Sequence, residues 1–362
     1  AHLVLQCALS WMCLPSSGPQ VLARSNVGPI ARNGFAYLKS FDFRLIWYQM
    51  VHMNPYELPI SRSTPDWRQE FKRLEGAYAP ATLRAYYTDV QKFNDYCSVR
   101  GLRPFPANAN TVCDFIAAQG VDLRPGSVRR CLCAIRKIHQ LLRLPDPTTD
   151  EDVNLAMRRL RRTKLGRPRQ AKGLTRVHLE QCLAVQPDSP WGLRNRALLS
   201  LGYDLLTRRS ELVALMTDDI EFRGDGTLRA IIRRGKTDPF GMGRIGFTSR
   251  LSAQLVGEWL AWRGGDITPL FCGIYRGRAI NRSLETTKVK LIVKEAVLAA
   301  GLPPEEVAAF SSHSLRVGAA QELLRAGFDT AAIMRAGGWR STNVLARYLE
   351  YAEHNVWEAN GT

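Results

Sequence analysis

Between His313 and Tyr348 the chain carries residue types that suit phosphodiester chemistry. His313 and Arg316 are three apart, so on a helix they lie one turn from each other and face the same way. They follow Ser311-Ser312, which resembles an anion site at a helix start. Trp339 follows Gly337-Gly338, two glycines that permit a tight turn. Its indole N–H is a donor for a phosphate oxygen. Tyr348 and Tyr351 each supply a hydroxyl that could serve as a nucleophile. The inventory is therefore phosphate donors, a proton carrier and an attacking hydroxyl. Each residue also has a plainer use: a core histidine, a packing tryptophan, a tyrosine in a core or an interface.

Two stretches upstream add what this one lacks. Leu206-Thr207-Arg208-Arg209-Ser210-Glu211-Leu212 places a carboxylate three residues after one arginine and two after the next. Arg208 and Glu211 can share a helical face, with the acid holding the guanidinium fork. A structural ion pair is the simpler reading, and spacing alone leaves Arg208 and Arg209 both open. Lys236 lies in Gly235-Lys236-Thr237, but this is not a nucleotide-binding loop. That motif needs a glycine where Ala230 stands, and a helix after the loop where a strand is expected. What remains is a lysine on a hairpin tip, able to reach into a groove.

The elements that would position these residues fall into two domains. Residues 1–66 read as an N-terminal extension, poorly ordered, with Met50 or Met53 as candidate starts. Residues 67–165 read as all-helical. Pro80 opens one helix, Val112 to Gly120 hold a shorter one, Pro125 opens a third and a fourth follows Thr149. Residues 166–173 form a basic linker broken by glycine and proline. Residues 174–362 read as α+β. Helices from Thr175 and over 191–206 are expected there, the second resuming as far as Leu215. Strands are expected at 219–222, 228–233 and 244–247, then helices from 250 with a short strand near Leu270-Phe271. The fold class is mainly α with one small antiparallel sheet.

With 362 residues and 45% hydrophobic content the chain can bury two cores. Its formal charge of +17 points to a polyanionic partner, nucleic acid rather than a membrane, because no segment reads as lipid-directed. Eight cysteines show no C-x2-C pair, so no zinc site is expected. Cys97, Cys113 and Cys182 fall in apolar helical patterns and read as small buried thiols in a reducing compartment.

Taken together, His313-Ser314-Leu315-Arg316, Ile333-Met334-Arg335-Ala336-Gly337-Gly338-Trp339 and Tyr348 resemble the tyrosine recombinase (phage integrase) family, over about residues 67–362. The resemblance settles both open registers. It implies a catalytic set of Arg208, Glu211, Lys236, His313, Arg316, Trp339 and the nucleophile Tyr348, with no metal and no cofactor. It implies a helical core-binding domain before the catalytic domain, the two clamping double-stranded DNA. Arg84, Arg129, Arg130 and Lys288 are the expected DNA contacts, and the expected assembly is a homotetramer on two inverted-repeat sites. The expected setting is a prokaryotic cytoplasm, at the nucleoid, with the chain phage- or plasmid-encoded. The fourteen residues after Tyr348 are fewer than the family's docking tail, though Val356 and Trp357 could still dock. A type IB topoisomerase-like activity and a non-cleaving DNA-binding regulator are the alternatives.

Overall fold

The computed structural model describes residues 66–166, 170–233 and 241–352. The expectations for residues 1–65, for Lys236 and for Val356 and Trp357 lie outside the described residues. The chain divides into two compact units that part between Leu165 and Gly166.

The first unit is helical: α1 (Trp67–Phe71), α2 (Pro80–Val99), α3 (Ala109–Asp122), α4 (Pro125–Leu141) and α5 (Glu151–Thr163). Local chemistry sets the boundaries. Pro80 and Pro125 stand in the first turns of α2 and α4, where a missing N–H costs nothing. The Asn108 side chain accepts from Thr111 N at 2.7 Å and caps α3. A short 3-10 turn over Pro147–Thr149 precedes α5, which starts after Thr149 as expected and is capped by Asp150. Glu151 and Asp152 open α5 and Arg161 and Arg162 close it, as the helix dipole favours. The core is built from Phe93, Phe105, Phe115, Ile116, Ile135 and Ile138, all essentially inaccessible. Burying each such side chain is worth about 1.5–3 kcal/mol. Cys97 and Cys182 are buried as expected, whereas Cys113 is only half-buried.

The second unit opens with α6 (Arg176–Ala184), capped by Thr175, and α7 (Pro190–Asp204). The expected continuation of α7 toward Leu215 is not found. Leu206 adopts a left-handed φ of +46°, which breaks the helix, and only the short α8 (Arg209–Leu212) follows. Next come β1 (Ile220–Phe222), β2 (Leu228–Ile232) and β3 (Arg244–Phe247), an antiparallel sheet in that order with Ala230 opposite both Ile220 and Gly246. Leu228, Ala230 and Ile232 alternate inward, the period-2 signal of a half-buried strand. After α9 (Arg250–Arg263) a second sheet appears, the hairpin of β4 (Cys272–Tyr275) and β5 (Arg278–Ser283). One sheet and one strand near Leu270-Phe271 were expected. That strand is β4, which starts just after the buried Leu270 and Phe271, and its partner β5 was not expected. The hairpin escapes sequence reading because β5 is almost wholly exposed and so lacks alternation. Its turn residues Arg276 and Gly277 both take positive φ, and arginine is an unusual occupant of that position. The chain closes with α10 (Thr286–Ala299), α11 (Pro304–Val307), α12 (Ser314–Arg325), α13 (Thr330–Gly337) and α14 (Thr342–Leu349). Among the described residues no helix is long and apolar enough to cross a membrane.

Candidate active site

Four chain breaks in the second unit bring the expected residues to one place. The first is the end of α7. Leu206 N donates to Tyr203 O and Thr207 N to Gly202 O, the hydrogen-bond pattern of a Schellman turn. A left-handed leucine costs about 1–2 kcal/mol, and its consequence here is that Leu206 O meets the Nη1 of Arg316. The second break is the start of α8, where Arg208 is the N-cap rather than a helical residue. Glu211 then serves as a clip. Its Oε2 accepts from Arg208 N at 3.0 Å and its Oε1 from Arg208 Nη1 at 2.5 Å. The two residues do not share a helical face, as the spacing suggested. They close a cap, and Glu211 is buried while the Arg208 side chain stays 18% exposed.

The third break is the start of α12. His313 is the exposed N-cap and Arg316 sits one turn on, fully buried. The Arg316 Nε and Nη2 are buried with no hydrogen-bond partner. Its guanidinium carbon lies 3.8 Å from the Trp339 ring centroid, a cation–π stack. Burial, and then the nearby charge of Arg208, push the Arg316 pKa down to about 10, so it remains a cation at neutral pH. Partial removal of the ring from water, followed by the charges of Arg316, Arg209 and Arg208, lowers the His313 pKa from its ordinary 6.5. The ring is therefore neutral at pH 7 and able to accept a proton.

The fourth break is the end of α13. Trp339 N donates to Met334 O at 2.9 Å and Gly338 N to Arg335 O, a second Schellman turn, here with glycine at the left-handed position (φ +66°). A Cβ on Gly337 would come within 1.9 Å of the Trp339 ring, so the tryptophan folds back over its own helix end. The indole Nε1 is buried without a partner. Tyr348, on α14, meets Trp339 edge-on at 5.1 Å between centroids, and its ring is 5.8 Å from the Arg316 guanidinium carbon. Gln321 Nε2 donates to Tyr348 O at 3.1 Å and ties α14 to α12. Tyr351 lies past the end of α14, 54% exposed. Arg208, Glu211, Arg244 and Trp339 line a cavity of about 170 Å³.

Arg208, Glu211, His313, Arg316, Trp339 and Tyr348 are thus gathered by the ends of α7, α8, α12, α13 and α14. Lys236 lies outside the described residues. Arg84, Arg129 and Lys288 are exposed. Arg130 differs: its Nε and Nη2 fork the buried Asp89 at 2.6 and 3.0 Å, so its charge is already answered within the first unit. Sequence reasoning missed Arg244, a largely buried arginine that starts β3. It donates to Leu205 O at 2.7 Å and to Ala336 O at 2.6 Å. No spacing signal marks it, because its partners are backbone carbonyls far away in sequence.

Converging donors, a neutral histidine and a tyrosine gathered by these helix ends are an arrangement suited to phosphodiester chemistry. The sequence pattern of the phage integrase family matches residues 172–354. An integrase/recombinase xerD homolog of Selenomonas ruminantium is 30% identical over 301 residues, covering 80% of this chain and 86% of that protein. The recombinase cre of Escherichia phage P1 is 27% identical over 323 residues, covering 83% and 93%. Among solved structures, the XerH site-specific recombinase bound to palindromic difH substrate aligns at a TM-score of 0.57 with 16% identity, covering 86% of this chain and 91% of that one. A lambda integrase dimer bound to a COC′ core site aligns at 0.55 with 16% identity, covering 80% and 96%. The chain belongs to the phage integrase family. Its activity is that of a tyrosine-type site-specific recombinase, which breaks and rejoins DNA.

Proposed function

We propose that the chain cleaves duplex DNA by attack of the Tyr348 hydroxyl oxygen on a phosphodiester. The P–O bond to the 5′ oxygen breaks and a 3′-phosphotyrosyl link forms. The observation that carries this reading is the set of buried, unpartnered donors: Arg316 Nε and Nη2 and Trp339 Nε1. Leaving such donors unpaired in a protein interior costs about 1–3 kcal/mol each. An anionic ligand that accepts from all three offsets that cost. As Tyr348 attacks, charge builds on the non-bridging oxygens, and Arg208 and Arg316 stabilise it with the indole. His313, held neutral, takes or relays the tyrosine proton. Lys236 protonates the departing 5′ oxygen, a role that rests on the sequence resemblance alone. The phosphotyrosyl bond conserves the energy of the broken one, so a 5′ hydroxyl from a partner strand reverses the attack and exchanges strands.

In this reading the helical unit binds the duplex, with Arg84 on α2 and Arg129 on α4 as its contacts, while Arg130 stays paired with Asp89, and Lys288 on α10 reaches DNA from the catalytic unit. Two protomers occupy an inverted repeat and two sites synapse as a tetramer in a prokaryotic cytoplasm. The palindromic substrate of XerH supports the repeat. A groove of about 1370 Å³ on the catalytic unit, lined by Leu206, Ile245, Phe247, Leu323, Phe328 and Ile333, offers an apolar surface for protomer docking. The test is a nicked suicide substrate. Tyr348→Phe is expected to bind it with unchanged affinity and form no covalent adduct. Adduct persisting in that variant rules out the assignment. Relaxation of plasmids that lack a defined site would favour the topoisomerase-like alternative.

A further inference from the structure

Two helices of the catalytic unit end at the same point. The C-termini of α7 and α13 each leave carbonyl groups with no partner inside the helix, and each carries the negative end of a helix dipole. Leu205 O belongs to the first and Ala336 O to the second. One guanidinium serves both: Arg244 Nη2 donates to Leu205 O and Nη1 to Ala336 O. The same guanidinium lies 3.9 Å from Glu211 Oε2, the carboxylate that clips Arg208. Its stem packs against the Gly–Trp turn, since a Cβ on Gly338 would come within 2.8 Å of the Arg244 Cδ. A planar fork with several fixed N–H directions can span two carbonyls in this way and still face the Glu211 carboxylate, a geometry that a single ammonium or amide nitrogen does not reproduce.

Each partner of Arg244 sits next to a group that faces the phosphate. Leu205 O adjoins Leu206 O, which holds Arg316. Ala336 O lies three residues before Trp339, inside the Schellman turn that aims the indole. Glu211 fixes the Arg208 guanidinium and backbone. We propose that Arg244 is a positioning residue for recombination: with its guanidinium engaged by two helix-end carbonyls, it acts through its neighbours and sets the mutual placement of Arg208, Arg316 and Trp339. The inference rests on reading those three as phosphate donors.

The test compares two substrates that differ in one charge. A methylphosphonate linkage replaces an anionic non-bridging oxygen with a methyl group, so it asks less of the arginines. Arg244→Gln is expected to bind duplex DNA within about twofold of the parent. It should form adduct on an ordinary nicked phosphodiester slower by about 10–100-fold, because small misplacements of catalytic groups carry costs of that order. On the methylphosphonate the deficit should shrink to within about threefold. A variant that is only partly folded would lose the same factor on both substrates, so an equal deficit overturns the proposal, as does parental cleavage of the phosphodiester. If Arg244→Gln fails to fold, Arg244→Lys keeps a cation beside Glu211, cannot span both carbonyls, and carries the same comparison. Arg316→Ala is run alongside. Slow cleavage by Arg316→Ala with parental cleavage by Arg244→Gln refutes the positioning role alone. Parental cleavage by both refutes the underlying reading as well.

Discussion

Asp89 and Arg316 are both fully buried charged side chains, one in each unit, and the protein answers them differently. Asp89 receives two hydrogen bonds from the Arg130 fork. His139, also buried in the helical unit, accepts from Ala107 N at 3.0 Å through Nε2, while its Nδ1 bonds to Ile135 O at 2.8 Å. Arg316 has one nitrogen engaged and two left over. A buried arginine elsewhere in the same unit makes the contrast sharper. Arg263 spends both terminal nitrogens on Pro269 O, Leu270 O and Thr217 Oγ1 and leaves only its Nε over, whereas Arg316 leaves two nitrogens beside the open indole N–H of Trp339. Trp67 in the helical unit also has an unpartnered indole N–H, but among the described residues that unit leaves no other buried side-chain donor open. Polar groups answered by the chain hold the fold, and on the proposed reading the converging donors left open are held for a ligand.

Paired substitutions test that distinction. Arg316→Ala should reduce adduct formation on a suicide substrate by about 10²–10³-fold, the loss typical of a donor that stabilises transition-state charge. The variant should unfold no more easily than the parent, because it removes a buried cation that Arg208 and Arg244 repel. Arg130→Ala should show the reverse. It strands Asp89 in the core and costs about 2–3 kcal/mol in chemical denaturation, at the low end for a broken buried pair because Arg130 is half exposed. The rate of adduct formation per folded molecule should not change. A large chemical defect in Arg130→Ala, or severe unfolding in Arg316→Ala, breaks the comparison.

The two histidines carry the distinction into pH. Burial lowers the pKa of His139, and partial removal from water, reinforced by neighbouring guanidiniums, lowers that of His313, both from 6.5. A depressed histidine leaves the folded state less protonated than the unfolded state just below pH 6.5. Stability is then fully present above that value and is lost as pH falls toward the folded pKa. For His139 this is the whole effect, so His139→Gln should flatten the acid side of the thermal stability profile. His313 should also appear in the rate. Single-turnover cleavage should hold level from neutral pH to below 6.5, then fall as the ring takes a proton and ceases to be an acceptor. His313→Gln should slow cleavage and remove that acid limb, and a limb that survives would show that another group controls it.

The sequence showed the helical unit well because its signals are local: prolines at helix starts, apolar residues at helical spacing, acids and bases at opposite helix ends. His313, Arg316, Trp339 and Tyr348 were legible for a similar reason, since one short segment carries all four. Arg208 was separated from Arg209 only by resemblance to a family. The structure supplies the physical distinction, a cap in which Glu211 holds Arg208 by both backbone and side chain. Leu206 could not be read as a helix stop, because leucine is a strong helix former and its residue type carries no signal for the left-handed conformation it adopts. The β4–β5 hairpin was missed because exposed strands have no inward face to mark them. Arg244 was missed because backbone carbonyls leave no trace in residue spacing.

The smallest expected effect lies on one helix, where sequence treated two neighbours alike. Arg129 and Arg130 were both expected at DNA, yet only Arg130 is forked onto an acid. Arg129 is exposed, has no partner among the described residues, and stands with Arg136, Arg158 and Arg161 around a cleft of about 310 Å³. Neutralising one phosphate releases counterions, so losing that contact should weaken binding alike on all sequences. Arg129→Ala should therefore lower affinity modestly and reduce the magnitude of the slope of log K against log salt by about one. Arg130→Ala, corrected for its folded fraction, should leave the slope unchanged, since its charge is balanced by Asp89 before DNA arrives. Equal slope changes in the two variants would mean that DNA draws Arg130 away from Asp89. In that case the closed pairs of the helical unit, like the open donors of the catalytic one, also serve a ligand.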